Sequence, residues 1–158
     1  MTLSTTWSSF YYFLQILETA KCSETWHYFA ETNKCYKYFD LDAHWDSSSR
    51  HCEGLNGKLA KVTSESTNNF LLQVSESEAW IGGTCSHYVE EDHKCQDWIW
   101  SDNTKISWAG WAGGEPSKSE YDSVNYRIAL TSGGWKARQG GSDHGHICEV
   151  ATNVGEYK

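Results

Sequence analysis

Proline and methionine each occur once in this chain of 158 residues, and no Cys-x2-Cys pair is present. The last absence removes the usual spacing of a zinc ribbon or a dithiol redox centre. Basic residues are scarce, with 13 Lys and Arg against 21 Asp and Glu, for a formal net charge of −8. No basic stripe exists to replace phosphate counterions, so nucleic acid and anionic membrane surfaces are not expected as partners. The run from Phe10 to Leu17 is too short to cross a bilayer, and no membrane span is expected. Nucleophile-elbow, phosphate-loop and His-Glu-x-x-His patterns are missing, so the chain is not read as an enzyme. Ser142, Asp143, His144 and His146 carry groups suited to acid–base chemistry. Among glycines before a final strand they read as a solvated turn. No internal repeat or linker divides the chain, whose length suits one domain.

Aromatic residues and cysteine are what the chain does contain. Nine Trp and nine Tyr imply small rigid units built around large rings. Six cysteines, at 22, 35, 52, 85, 95 and 148, form an even set that reads as disulfides in an oxidising compartment, hence a secreted, extracellular protein. Their number alone allows about 15 pairings. Cys85-Ser86-His87 and His93-Lys94-Cys95 form a symmetrical set that tetrahedral zinc could use. The competing reading is a disulfide-closed loop bearing two exposed histidines. Residues 1–20 read as a poor or truncated signal peptide, because no Lys or Arg precedes the apolar run and Glu18 stands near the expected cleavage site. The domain is placed at 21–150, with 151–158 as a C-terminal tail.

Alternation through Trp26–Phe29 and Cys35–Phe39, around Glu31–Lys34, predicts a hairpin with a cysteine pair near its open end. Trp45, Cys52 and Leu55 predict an amphipathic helix over 42–55, stopped by Asn56-Gly57. Lys58–Val62 reads as a short strand. Ser64 caps a second helix, whose buried face is expected at Phe70, Leu71 and Val74. Ala79–Gly83 is an apolar strand, and residues 84–120 read mostly as loop, interrupted by Trp98-Ile99-Trp100. Strands follow at 124–130 and 146–150. The order hairpin, helix, helix, long loop, strands gives an α+β class.

Four landmarks stand in order: Trp80-Ile81-Gly82-Gly83, Trp98-Ile99-Trp100-Ser101-Asp102, Trp111 through Glu115-Pro116, and Ile147-Cys148-Glu149. Together they resemble the long-form C-type lectin-like domain. The resemblance implies two helices, antiparallel sheets and a long loop that carries the binding surface. It also implies Cys22–Cys35 and Cys52–Cys148 bridges. The family's second core bridge would fall at Ser123 and Gly140, so Cys85 and Cys95 are expected to form a different staple. In sugar-binding members a Glu-Pro-Asn segment and a Trp-Asn-Asp segment hold calcium. Here they read Glu115-Pro116-Ser117 and Trp135-Lys136-Ala137, with Glu120 and Asp122 nearby. Glu115 and Asp122 are the remaining candidate metal ligands. No cofactor is expected, and calcium would bind weakly at most. The lone proline stands in the family's cis-proline context, and the Lys136 ammonium is expected near Glu115, where the family places the metal.

The implied function is carbohydrate recognition through Trp108, Trp111, Glu115, Ser117, Glu120, Asp122, Trp135 and Lys136. Indole faces stack on sugar rings while polar groups satisfy hydroxyls. The alternative is the same fold binding an extracellular protein, since Trp and Tyr are enriched at such contacts.

Overall fold

In the computed structural model, residues 21–117 and 125–153 are described. The signal-peptide reading at 1–20 and the residues Glu120, Asp122 and Ser123 fall outside that set. Strands β1 (His27–Phe29) and β2 (Lys34–Ala43) form the expected hairpin, with Tyr28 opposite Cys35. Asn33 turns it with φ of 50°, a left-handed conformation that Asn tolerates. Helix α1 runs from Trp45 to Gly54 and buries Trp45, Ser48 and Cys52. It begins later than periodicity suggested, because β2 extends through Ala43. Leu55, expected on its inner face, is 38% exposed. The chain leaves through Asn56 at φ 59°, and Gly57 follows because a Cβ there would lie 2.3 Å from the Glu149 carbonyl oxygen.

Strand β3 (Lys58–Leu59) precedes helix α2 (Glu65–Val74). The Ser64 hydroxyl accepts from the Thr67 amide at 3.1 Å, the expected cap. Leu71 is buried as expected, but Thr67 and Asn68 share the inner face while Phe70 and Val74 are only half-buried.

The largest departure lies after Gly83. Strand β4 runs from Ala79 to Val89 and returns as β5 (Lys94–Trp100), so much of the expected loop is a hairpin turning at 90–93. Strands β6 (Tyr126–Thr131), β7 (Gly134–Gln139) and β8 (His144–Ala151) complete the sheet. Strand β7 differs from expectation: Trp135-Lys136-Ala137, the stretch that resembles a ligand segment, lies within a regular strand. Strand order is β1-β2-β8-β4-β6-β7, with β3 beside β8 and β5 beside β4. The expectation of antiparallel sheets needs one correction: β4 and β8 are parallel, so the sheet is mixed.

Two packed groups lie against this sheet. One joins Tyr36, Val62, Leu71, Ile81, Trp100, Ile128, Trp135 and Ile147, and the other joins Trp45, Cys52, Leu59, Trp80 and Cys148. The disulfides are Cys22–Cys35, Cys52–Cys148 and Cys85–Cys95, as expected. The second ties α1 to β8 across a sequence separation of 96. The third closes the β4–β5 hairpin, so Cys85 and Cys95 are not available to zinc.

Candidate functional site in the long loop

The segment after β5 is held at three points. At its start, Asp102 accepts from the Lys61 ammonium at 2.9 Å and the Thr104 amide at 3.0 Å, with Lys58 at 3.5 Å. Desolvation pushes the Asp102 carboxyl up, but bonds from Thr104 and Lys61 outweigh it and hold the group well below the usual carboxylate range.

The second hold is Trp135. It is fully buried, with Trp100, Trp108 and Trp111 against it at centroid distances of 5.7, 5.5 and 5.7 Å, all edge-on. Its Nε1 donates to Asn68 Oδ1 at 2.8 Å, which links the loop to α2. Its backbone extends the sheet, accepting from Ala112 N at 2.9 Å and donating to Gly110 O at 2.7 Å. Trp135 therefore has no face for a sugar, contrary to its expected role as a platform. The reason is its position on β7, an inward-facing strand site beneath the loop.

The third hold is Glu115. Its Oε2 accepts from the Ser117 amide at 2.8 Å and the Ala137 amide at 3.1 Å. The Glu115–Pro116 peptide bond is cis. Backbone amides, not the Lys136 ammonium, meet this carboxylate. Lys136 lines a cleft of about 470 Å³ with Glu76, Glu78 and Ser132, between the α2–β4 connection and the β6–β7 turn. The expected Lys136–Glu115 pair does not form: on β7 the Ala137 amide meets Glu115, while the neighbouring Lys136 lines the other cleft. For calcium, which takes about 6–8 oxygens, the described part of this region offers the Glu115 carboxylate and Ser117 hydroxyl as side-chain oxygens. Ala137 contributes a methyl.

Trp108 and Trp111 are half-buried, so each is partly structural and partly accessible. Trp111 also borders a groove of about 280 Å³ between β5 and the loop. Half-buried Trp98, Ile106 and Trp111 supply its apolar lining, and exposed Gln96, Asp97 and Lys105 its polar groups. Trp98 and Trp111 are 5.0 Å apart between centroids and tilted by 60°. The Trp98 indole N–H is buried without a hydrogen-bond partner. Sequence reasoning missed Gln96, Asp97, Trp98 and Lys105. For Gln96, Asp97 and Trp98 the signal was alternation from Lys94 to Trp100, obscured by the bulges that shift the β4–β5 register.

The polar groups at 142–146 do not converge. Asp143 meets His44 at 3.4 Å, His144 meets Glu78 at 3.7 Å, and His146 is buried against His51. His51, His146 and Cys148 are close enough together to suggest a metal cluster. However, Cys148 is disulfide-bonded, and the two imidazoles are hydrogen-bonded to each other.

A mixed sheet flanked by two helices, with a tryptophan-anchored loop that contains a cis Glu-Pro bond, defines a lectin-type domain. Residues 41–150 match the family model for the lectin C-type domain, and the chain belongs to that family. Ladderlectin of Oncorhynchus mykiss is 30% identical over 101 residues, 63% of this chain and 51% of that protein. The match thus spans about half the length of that relative. The cow C-type carbohydrate-recognition domain of CD23, solved in the presence of a GlcNAc2Man3 oligosaccharide, superposes with a TM-score of 0.70. It is 28% identical, with 84% of this chain and 97% of that one covered. A calcium-independent type II antifreeze protein shares the fold, with TM-score 0.67, 22% identity and coverage of 83% and 95%. Among the described residues, no helix is long and apolar enough to cross a membrane.

Proposed function

We propose that this protein is a secreted, non-catalytic recognition module that binds carbohydrate on its long-loop surface without a strong calcium site. The observation that carries the reading is the groove of about 280 Å³ beside Trp98 and Trp111. A pyranose ring presents an apolar face that suits indole, and its hydroxyls suit Gln96, Asp97 and Lys105. Trp108, Trp111, Glu115 and Ser117 stay in the proposed surface. So do Glu120 and Asp122, which lie outside the described residues. Trp135 supports it from beneath, and Lys136 belongs to a separate cleft.

The commitment of Glu115 Oε2 to two amides supports binding without metal, because those bonds compete with a cation for the same oxygen. Three disulfides support an extracellular setting. A glycan array run with calcium and with chelator tests the proposal. Chelator-insensitive retention, weakened by Trp111→Ala and by Asp97→Ala, is the expected result. Retention abolished by chelator would restore a calcium-dependent lectin. No retention on any glycan would favour a protein ligand on the same surface.

A further inference from the structure

Beneath β2, far in sequence from the long loop, two histidines face each other. His51 of α1 and His146 of β8 lie with Nδ1 and Nε2 2.7 Å apart. Phe39 of β2 closes the pair, stacked on the His146 ring at 5.4 Å and edge-on to His51 at 4.6 Å. His146 is 1% exposed, and the Cys52–Cys148 bridge adjoins both histidines in sequence. Past Phe39 the β2–β8 pairing breaks and resumes only at Ala43, and Leu41 within that bulge is 51% exposed.

We propose that the His51–His146 pair is an acid-sensitive clasp that holds α1 and the β2 bulge onto β8 at neutral pH and loosens them progressively on acidification. A hydrogen bond between imidazoles needs one N–H and one lone pair at the contact. The neutral pair satisfies this, and so does the singly protonated pair, whichever ring takes the proton. A second proton leaves two N–H groups and two positive charges facing each other, and the bond is lost.

The neighbourhood offers little relief. From β2 come Phe39 and the backbone of Leu41, and from β4 comes Trp80, paired with His146 across the parallel ladder. On β8 the next titratable group on the same face is His144, packed on Trp80 and directed to Glu78. No carboxylate is among the groups acting on His146. Burial first, and then the charge of His51, push its imidazole down to about 4, against a smaller opposing effect of the Leu41 backbone.

The folded-state value lies below the unfolded one of about 6.5. The unfolded chain therefore binds the extra proton first, and stability is full above that pH. It falls as pH drops towards 4 and levels off below. One linked proton raises the unfolding constant by at most about tenfold per pH unit within the window.

The experiment combines imidazole ¹⁵N NMR titration, denaturation and amide exchange on the full chain between pH 8 and 4. Wild type should keep His146 neutral to near pH 4–5, show the tenfold slope and exchange faster at 39–43 and in α1 as pH falls. His146→Phe keeps an aromatic ring against Phe39 and should flatten the slope. His51→Gln, which retains an uncharged hydrogen-bonding partner, should shift His146 titration upwards. An unchanged slope in both variants, or His146 titrating near its unfolded value in wild type, would overturn the clasp. If His146→Phe fails to fold, the wild-type titration and His51→Gln still decide.

Discussion

Replacing Trp135 by Phe tests whether the long loop is held from beneath by packing and one hydrogen bond. Trp135 is fully buried, and its Nε1 donates to Asn68 Oδ1 at 2.8 Å. Phe retains a ring but removes the donor, leaving a nearly buried amide oxygen unpaired at about 1–3 kcal/mol. The smaller ring also leaves a cavity, which costs about 1 kcal/mol. The expected loss is therefore about 2–4 kcal/mol, a large share of the roughly 5–15 kcal/mol of a typical domain. Urea denaturation followed by circular dichroism reads it directly. Adding Asn68→Leu removes the orphaned acceptor, and the pair should couple by about 1 kcal/mol or more in a double-mutant cycle. A cost below about 0.5 kcal/mol for Trp135→Phe, or strict additivity with Asn68→Leu, would refute the reasoning.

Glu149→Gln should destabilise the β2–β8 junction. The Glu149 side chain is 1% exposed and meets Lys34 at 2.6 Å and the Lys61 amide at 2.9 Å. Because Lys34 is about one-third exposed, the expected cost is about 1–3 kcal/mol rather than that of a fully buried pair, and urea titration measures it. Asp102 has a folded-state carboxyl held low, so its contribution should persist down to about pH 4 and disappear as pH falls further. Acid titration of wild type against Asp102→Asn checks this, with the difference vanishing at the lowest pH. Replacing Cys85 and Cys95 together by Ser should cost about 2–3 kcal/mol from the short closure and weaken glycan retention, since Ser86 and Asp97 of this hairpin border the groove. Denaturation and the array read the two effects separately.

Local chemistry made much of the fold legible. Ser64 before an apolar run marked α2, and Asn56-Gly57 marked the exit from α1, because caps and left-handed turns depend on one or two side chains. The β4–β5 hairpin was hidden, because bulges near His87 break the strict alternation that reveals a strand. The β7 strand was hidden for a different reason. Its Trp135-Lys136-Ala137 resembles a metal-ligand segment, and the inward–outward alternation of buried Trp135 and Ala137 around Lys136 spans too few residues to stand out beside that resemblance. The distinction between Trp111, which reaches a groove, and Trp135, which does not, depends on sheet register and could not be read from composition.

These differences bear on how the described part of the long loop is held if, as proposed, no strong calcium site is present. At a calcium site of the kind the family resemblance implies, the Glu115 carboxylate would be a ligand. In this chain the Ala137 amide reaches the same carboxylate, so the strand itself supplies the connection. Trp135 adds a second link two residues earlier, to the loop through Gly110 and Ala112 and to α2 through Asn68. Asp102 supplies a third at the loop's start. None of these links needs a dissociable ligand, so loop order should depend on core packing rather than on ion concentration. The proposed groove would then be preformed, because Trp98 and Trp111 are placed by β5 and by the Trp135 bridge. Disturbing Asn68, which the groove does not include, should therefore weaken carbohydrate retention, while a chelator should leave it unchanged.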